Sequence, residues 1–121
     1  MNVNISGKDY DLHFGLDFLE FCEDTGGMKV DGVNIGIGGF NMMFSKLEMF
    51  DPVTVMKVIQ GGTNTYKSKP SKANIEELLI EKIESDSYEE FVEEILAELK
   101  KQPFTKVQIK KIEARDLENQ K

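Results

Sequence analysis

With 121 residues, 40% of them hydrophobic and 31% charged, the chain holds enough apolar material for one folded domain and too much for a disordered polymer. A net charge of −7 opposes phosphate backbones, so nucleic acid is not an expected partner. No apolar run approaches the roughly 18 residues that a membrane span requires, the opening MNVNISGKDYD lacks the order of a signal peptide, and one cysteine permits no internal disulfide. The expectation is a soluble cytoplasmic protein.

Val3-Asn4-Ile5 and Tyr10 to Phe14 alternate apolar and polar side chains around Ser6-Gly7-Lys8-Asp9. That pattern predicts a β-hairpin over 2–14 with Val3, Ile5, Tyr10, Leu12 and Phe14 turned to one side. A lone hairpin is marginal in water, so a helix must support it. Leu16, Phe18, Leu19, Phe21 and Cys22 predict that helix over about 15–25, ended by Gly26-Gly27. The segment from Met28 to Gly39 is glycine-rich and predicts a chain reversal. Phe40, Met43, Phe44, Leu47 and Phe50 predict an amphipathic helix over 39–50.

Asp51-Pro52 restarts the chain as a helix over 52–60, with Asp51 as cap and proline in the first turn. Thr63 to Ala73 is a basic polar loop and the expected flexible segment. Two acidic helices follow, over 75–85 and 88–101. Asn74 is placed to cap the first, and Ser87 with Glu90 has the spacing of a capping box on the second. Tyr88, Phe91, Val92, Ile95, Leu96 and Leu99 make an unbroken apolar stripe. After Pro103 the pattern thins, predicting a polar, weakly structured tail over 104–121. The fold class expected is mainly α (α+β): one helical domain over 1–103 with a short N-terminal β-hairpin.

Charge is unevenly spread. Residues 52–73 carry four lysines and no acid, whereas 74–100 carry ten acids against two lysines. Blocks of alternating sign suit contact between copies, and solvated helix faces look the same.

No constellation for chemistry emerges. His13, the one histidine, falls on the outer side of the second strand, and Cys22 falls among apolar residues with no neighbouring base to activate it. Gly32 to Gly39 lacks the lysine and hydroxyl residue of a phosphate-binding loop. The acids sit at the spacing of solvated faces and no histidine accompanies them, so no metal and no cofactor is expected. Asp86-Ser87 resembles a carrier-protein attachment site, but an ordinary cap serine accounts for it and for Glu90 too, and is the preferred reading. The methionines point elsewhere. Met28, Met42, Met43, Met49 and Met56 lie in the middle third beside Phe40, Phe44 and Phe50; pliable thioethers suit surfaces that accept varied apolar partners, and they are also ordinary core filler. Phe40, Met42, Met43, Phe44, Leu47, Met49 and Met56 are the candidate partner-binding set, with Met42 and Met49 off the main stripe.

Four stretches, in order, resemble a known family: NVNISGKDYDLHFGLDFLEFCEDTGG, GVNIGIGGF, FDPVTVMKVIQGGT and SYEEFVEEILAELKK. They are similar to the tail assembly chaperones of long-tailed phages and prophages of Gram-positive bacteria. The resemblance spans about residues 2–101, and 105–121 lie outside it. It implies a non-enzymatic protein of the host cytoplasm, absent from the mature virion. Such a protein binds and solubilises the tape measure protein and helps recruit major tail (tube) protein. It self-associates into an oligomer or spiral, and many relatives also occur in a longer, frameshifted form. An alternative class, another small acidic interaction or regulatory protein of the nucleic-acid-mimic type, shares the charge pattern and would show carboxylates at phosphate-like spacing.

Overall fold

Ser6 and Gly7 take positive φ angles of 52° and 83°, the left-handed pair that a two-residue hairpin turn demands. The computed structural model, which describes residues 1–26, 29–30, 33–34 and 38–119, therefore begins with a tight hairpin. Strand β1 (Asn2–Ile5) pairs antiparallel with β2 (Lys8–Asp11), Val3 opposite Tyr10 and Ile5 opposite Lys8. The turn is two residues rather than the four that composition suggested, and the ladder ends at Asp11. Val3, Ile5, Tyr10, Leu12 and Phe14 are all buried, as alternation predicts.

Six helices follow among the described residues: α1 (Leu16–Gly26), α2 (Gly39–Glu48), α3 (Pro52–Gly62), α4 (Lys72–Glu84), α5 (Tyr88–Lys101) and α6 (Pro103–Asn119). The class is the expected one, helical with an N-terminal hairpin. Between α1 and α2, β3 (Lys29–Val30) pairs antiparallel with β4 (Val33–Asn34). Residues 28, 31–32 and 35–37 of the expected glycine reversal lie outside the described residues.

One apolar cluster joins the hairpin to all six helices. Phe14, Phe18, Leu47, Ile59, Ile75, Ile95 and Leu99 are among its fully buried members. Helix α1 contributes Phe18 and Cys22 to it, while Leu16, expected on the same face, is exposed. Helices α1 and α2 approach closely at Gly39, where an added Cβ would overlap the Cys22 carbonyl. Backbone-to-backbone contact of that kind needs glycine. Helix α5 buries Phe91, Val92, Ile95 and Leu99, each worth roughly 1.5–3 kcal/mol of transfer free energy.

Caps explain two boundaries, and a third lacks the one expected. The Asp51 carboxylate accepts the Thr54 N–H at 3.2 Å and the Thr54 hydroxyl at 2.6 Å, with Pro52 in the first turn, as predicted. Helix α4 begins earlier than expected, because Ser71 caps it by accepting the Asn74 N–H at 3.1 Å; Asn74 is thus inside the helix. The capping box on α5 does not form. Asp86 sits at φ 57°, and Ser87 at ψ 10° turns its hydroxyl back to Ser85 at 2.8 Å and to the Lys82 carbonyl at 3.4 Å. A cap side chain needs an extended backbone to reach forward, and this turn denies it.

Two segments differ from expectation. The basic loop is pinned rather than loose: Tyr66 packs edge-on against Tyr10 at 5.1 Å, and its hydroxyl accepts the Asp11 N–H at 2.8 Å. The Ser68 carbonyl accepts from Tyr10 Oη and Lys8 Nζ, both at 3.2 Å, and the Gly62 carbonyl accepts the His13 N–H at 2.9 Å. The loop thus occupies the open edge of β2, where another strand could otherwise add. Beyond Pro103 the chain is a helix, α6, rather than a weakly structured tail. Ile109 is buried in the core cluster, and the buried Thr105 hydroxyl donates to the Leu99 carbonyl at 2.5 Å. Gln102 welds this corner to the hairpin: its Oε1 accepts the Phe14 N–H at 2.7 Å and its Nε2 donates to the Leu12 carbonyl at 3.0 Å.

Candidate partner-binding surface

The seven candidate residues divide by helix face. Phe40, Met43, Phe44 and Leu47 repeat at i, i+3, i+4 and i+7 along α2 and are buried; Phe40 and Phe44 stack at 5.9 Å. The core takes these four, so in this conformation no partner reaches them. Met56 is partly buried against the same cluster. Met42 and Met49 stand outside, 47% and 77% exposed. Helical geometry separates them: Met42 lies about 100° around α2 from Met43, and Met49 ends the helix where no further turn covers it.

Met42 does not stand alone. It flanks a small cleft of about 70 Å³ between α1, α2 and α3, floored by the buried Cys22, Met43 and Val58 and walled by Phe21 and Val53. Val53 is 55% exposed. Lys46 and Lys57 line the rim. Sequence reasoning missed Val53, Phe21 and the two lysines. Val53 falls off the Val55, Val58, Ile59 stripe of α3, and that displacement was its signal. Thr25, Asp51 and Thr54 also line the cleft, so its lining is partly apolar and carries both signs of charge.

The turn from α2 to α3 is built from unusual backbone. Phe50 takes φ 60°, uncommon for a bulky residue and worth of order 1 kcal/mol in strain. Its N–H donates to the Leu47 carbonyl at 2.9 Å and its carbonyl accepts the Tyr88 hydroxyl at 2.7 Å. Burial first, and then the neighbouring Asp51 carboxylate, push the Tyr88 hydroxyl above its ordinary range, so it stays a donor at neutral pH. Helix α5 therefore clamps the turn that presents Met49.

The groups with reactive potential are not assembled. His13 is exposed and stacks on Tyr66 at 6.3 Å. Cys22 is buried, and burial, with a smaller contribution from Glu23, pushes its thiol up to about 12. A thiol so protonated is a poor nucleophile. The two residues are not brought together. Ser87 is occupied with Ser85 and the end of α4. Among the described residues no group of three or more His, Cys, Asp or Glu side chains is arranged to hold a metal ion. No helix among them is long and apolar enough to cross a membrane.

One ionised group is built into the frame. Glu98 Oε1 pairs with the Met1 ammonium at 3.2 Å and accepts from Gln102 Nε2 at 3.0 Å. Burial pulls its carboxyl upward, but the hydrogen bonds from Gln102 and the ammonium, with the charges of the ammonium and Lys101, outweigh it and hold the carboxyl below its ordinary value.

The chain is a helical domain with a filled core, two exposed methionines and a small cleft between α1, α2 and α3. The particular family follows from comparison: the model for the phage tail assembly chaperone protein, TAC, matches residues 2–113, and the chain belongs to that family. The match runs past the sequence resemblance, which stops near residue 101, into α6. No curated protein and no solved structure matches the chain.

Proposed function

We propose that this chain is a non-enzymatic chaperone of phage tail assembly that binds and solubilises the tape measure protein, helps recruit tail tube subunits and associates with itself. It acts in the host cytoplasm and is left out of the finished virion. Membership of the tail assembly chaperone family supports the general role. The observation that carries the finer reading is the open slot between α1, α2 and α3, with Met42 and Val53 on its edge, beside a core that is already complete without them.

A long helical polypeptide with periodic apolar residues aggregates through those residues. Many weak contacts, each an apolar side chain seated in such a slot, shield them reversibly, and the low cost of repacking thioethers lets one slot accept many sequences. The net acidic surface then keeps the complex dispersed. Co-expression with a tape measure protein from the same phage genome tests this. The long protein is expected in the soluble fraction, co-purifying with the chaperone, and in the pellet without it. A pellet in both cases would overturn the reading.

A further inference from the structure

Helices α4 and α6 both pack on α5, and each turns an uncommitted face away from it. On α6, Phe104 and Val107 stand 49% and 53% exposed at i and i+3, and Lys111 continues the same face at i+7. Lys106, Lys110 and Arg115 are also exposed along this helix. On α4, Ile80 and Ile83 are exposed at i and i+3, with Glu76 one turn before them and Glu77, Glu81 and Glu84 alongside. One face is apolar with a basic surround, and the other is apolar with an acidic surround.

We propose that the outer face of α6 in one copy docks antiparallel on the outer face of α4 in a second copy. The proposal rests on the self-association part of the functional reading and names its surfaces. Setting Val107 opposite Ile80 and Phe104 opposite Ile83 places Glu76 opposite Lys111, so one register matches both the apolar pair and the central charge pair. Running the helices parallel with the apolar pairs matched sets Glu76 against Lys100, which lies on α5 rather than α6. The two faces differ, so the contact is heterologous, and repeated copies would extend in a line or curve unless the rotation closes. Charge selects the second copy as occupant: the acidic face lies in the block with ten acids, and the basic face in the C-terminal segment that follows it.

The test is sedimentation velocity of the full chain with two charge-reversal variants, E76K/E77K and K110E/K111E, each checked for unchanged circular dichroism and melting temperature. The wild type is expected to associate, more weakly as salt is raised. Each variant alone is expected to lose roughly tenfold or more in association, and an equimolar mixture of the two is expected to recover it. Variants that associate like the wild type, a mixture that fails to recover, or a monomeric wild type would overturn the pairing. A monomeric wild type that still keeps the long partner soluble would sink the α4–α6 contact alone. Association by these faces with no protection of the long partner would uphold the contact and sink the solubilising role.

Discussion

Helices α5 and α6 are consecutive, separated by Gln102, and use their apolar residues in opposite ways. Helix α5 buries Phe91, Val92, Ile95 and Leu99 and leaves Glu89, Glu90, Glu93 and Glu94 in water. Helix α6 buries Thr105 and Ile109 and leaves Phe104, Val107 and Leu117 exposed. A stripe that is continuous in sequence and continuous in burial makes a fold. Apolar residues that the fold does not use are available for something else, and α2 shows the same division within one helix, Met43 inside and Met42 outside.

The sharpest contrast is expected from shortening one residue in each helix. Leu99→Ala removes a fully buried side chain and is expected to cost about 2–5 kcal/mol in chemical denaturation. Phe104→Ala removes a larger side chain and is expected to change stability by no more than about 0.5 kcal/mol. Equal losses would erase the distinction between the helices. Thr105→Val tests how α6 is attached: it leaves the Leu99 carbonyl without the hydroxyl, and an expected loss of about 1–3 kcal/mol follows from that buried acceptor.

A smaller effect concerns Glu98, near the C-terminal end of α5. Its carboxyl is held below its ordinary value in the folded state, so its stabilising contribution is complete above about pH 4.3, the unfolded range, and is lost as pH falls through the lower folded value. Glu98→Gln is expected to flatten the acid limb of a stability-against-pH curve, read by denaturant midpoints between pH 6 and pH 3. An unchanged acid limb would count against the pairing with Met1 and Gln102. The smallest effect is expected at Cys22, whose raised thiol should leave it unlabelled by iodoacetamide at pH 8 in the native protein and labelled after unfolding.

Much of this architecture was legible because the periodicities are strong. Alternation assigned the inward side of the hairpin residue by residue, and Asp51-Pro52 located the start of α3. What failed were choices between equivalent local signals. Ser71 and Asn74 are both good caps, and α4 starts at the earlier one, three residues ahead of the predicted site. Ser87 and Glu90 have capping-box spacing, but the left-handed turn at Asp86 points the hydroxyl away. Helix α6 read as no more than a weakly structured tail because its few buried residues, Thr105 and Ile109, do not form an apolar stripe and one of them is polar. The pinning of the basic loop depends on Tyr66 meeting Tyr10 and, 55 positions away, Asp11, pairings no local pattern encodes.

The candidate surface was half legible for a similar reason. Spacing identified the α2 face of Phe40, Met43, Phe44 and Leu47, and an amphipathic face says only that something apolar covers it. Here α1, α3 and α5 cover it. The residues left outside, Met42 and Met49, were recognisable by falling off that stripe. Val53 joined them only when α2 and α3 were packed together.

The most direct measurement is the solubility of the co-expressed tape measure protein with the Met42→Glu/Met49→Glu chaperone beside the wild type. With the variant's melting temperature unchanged, the account expects the long protein to move from supernatant to pellet. Equal protection by the two chaperones would mean that the exposed face of α2 does not grip the partner.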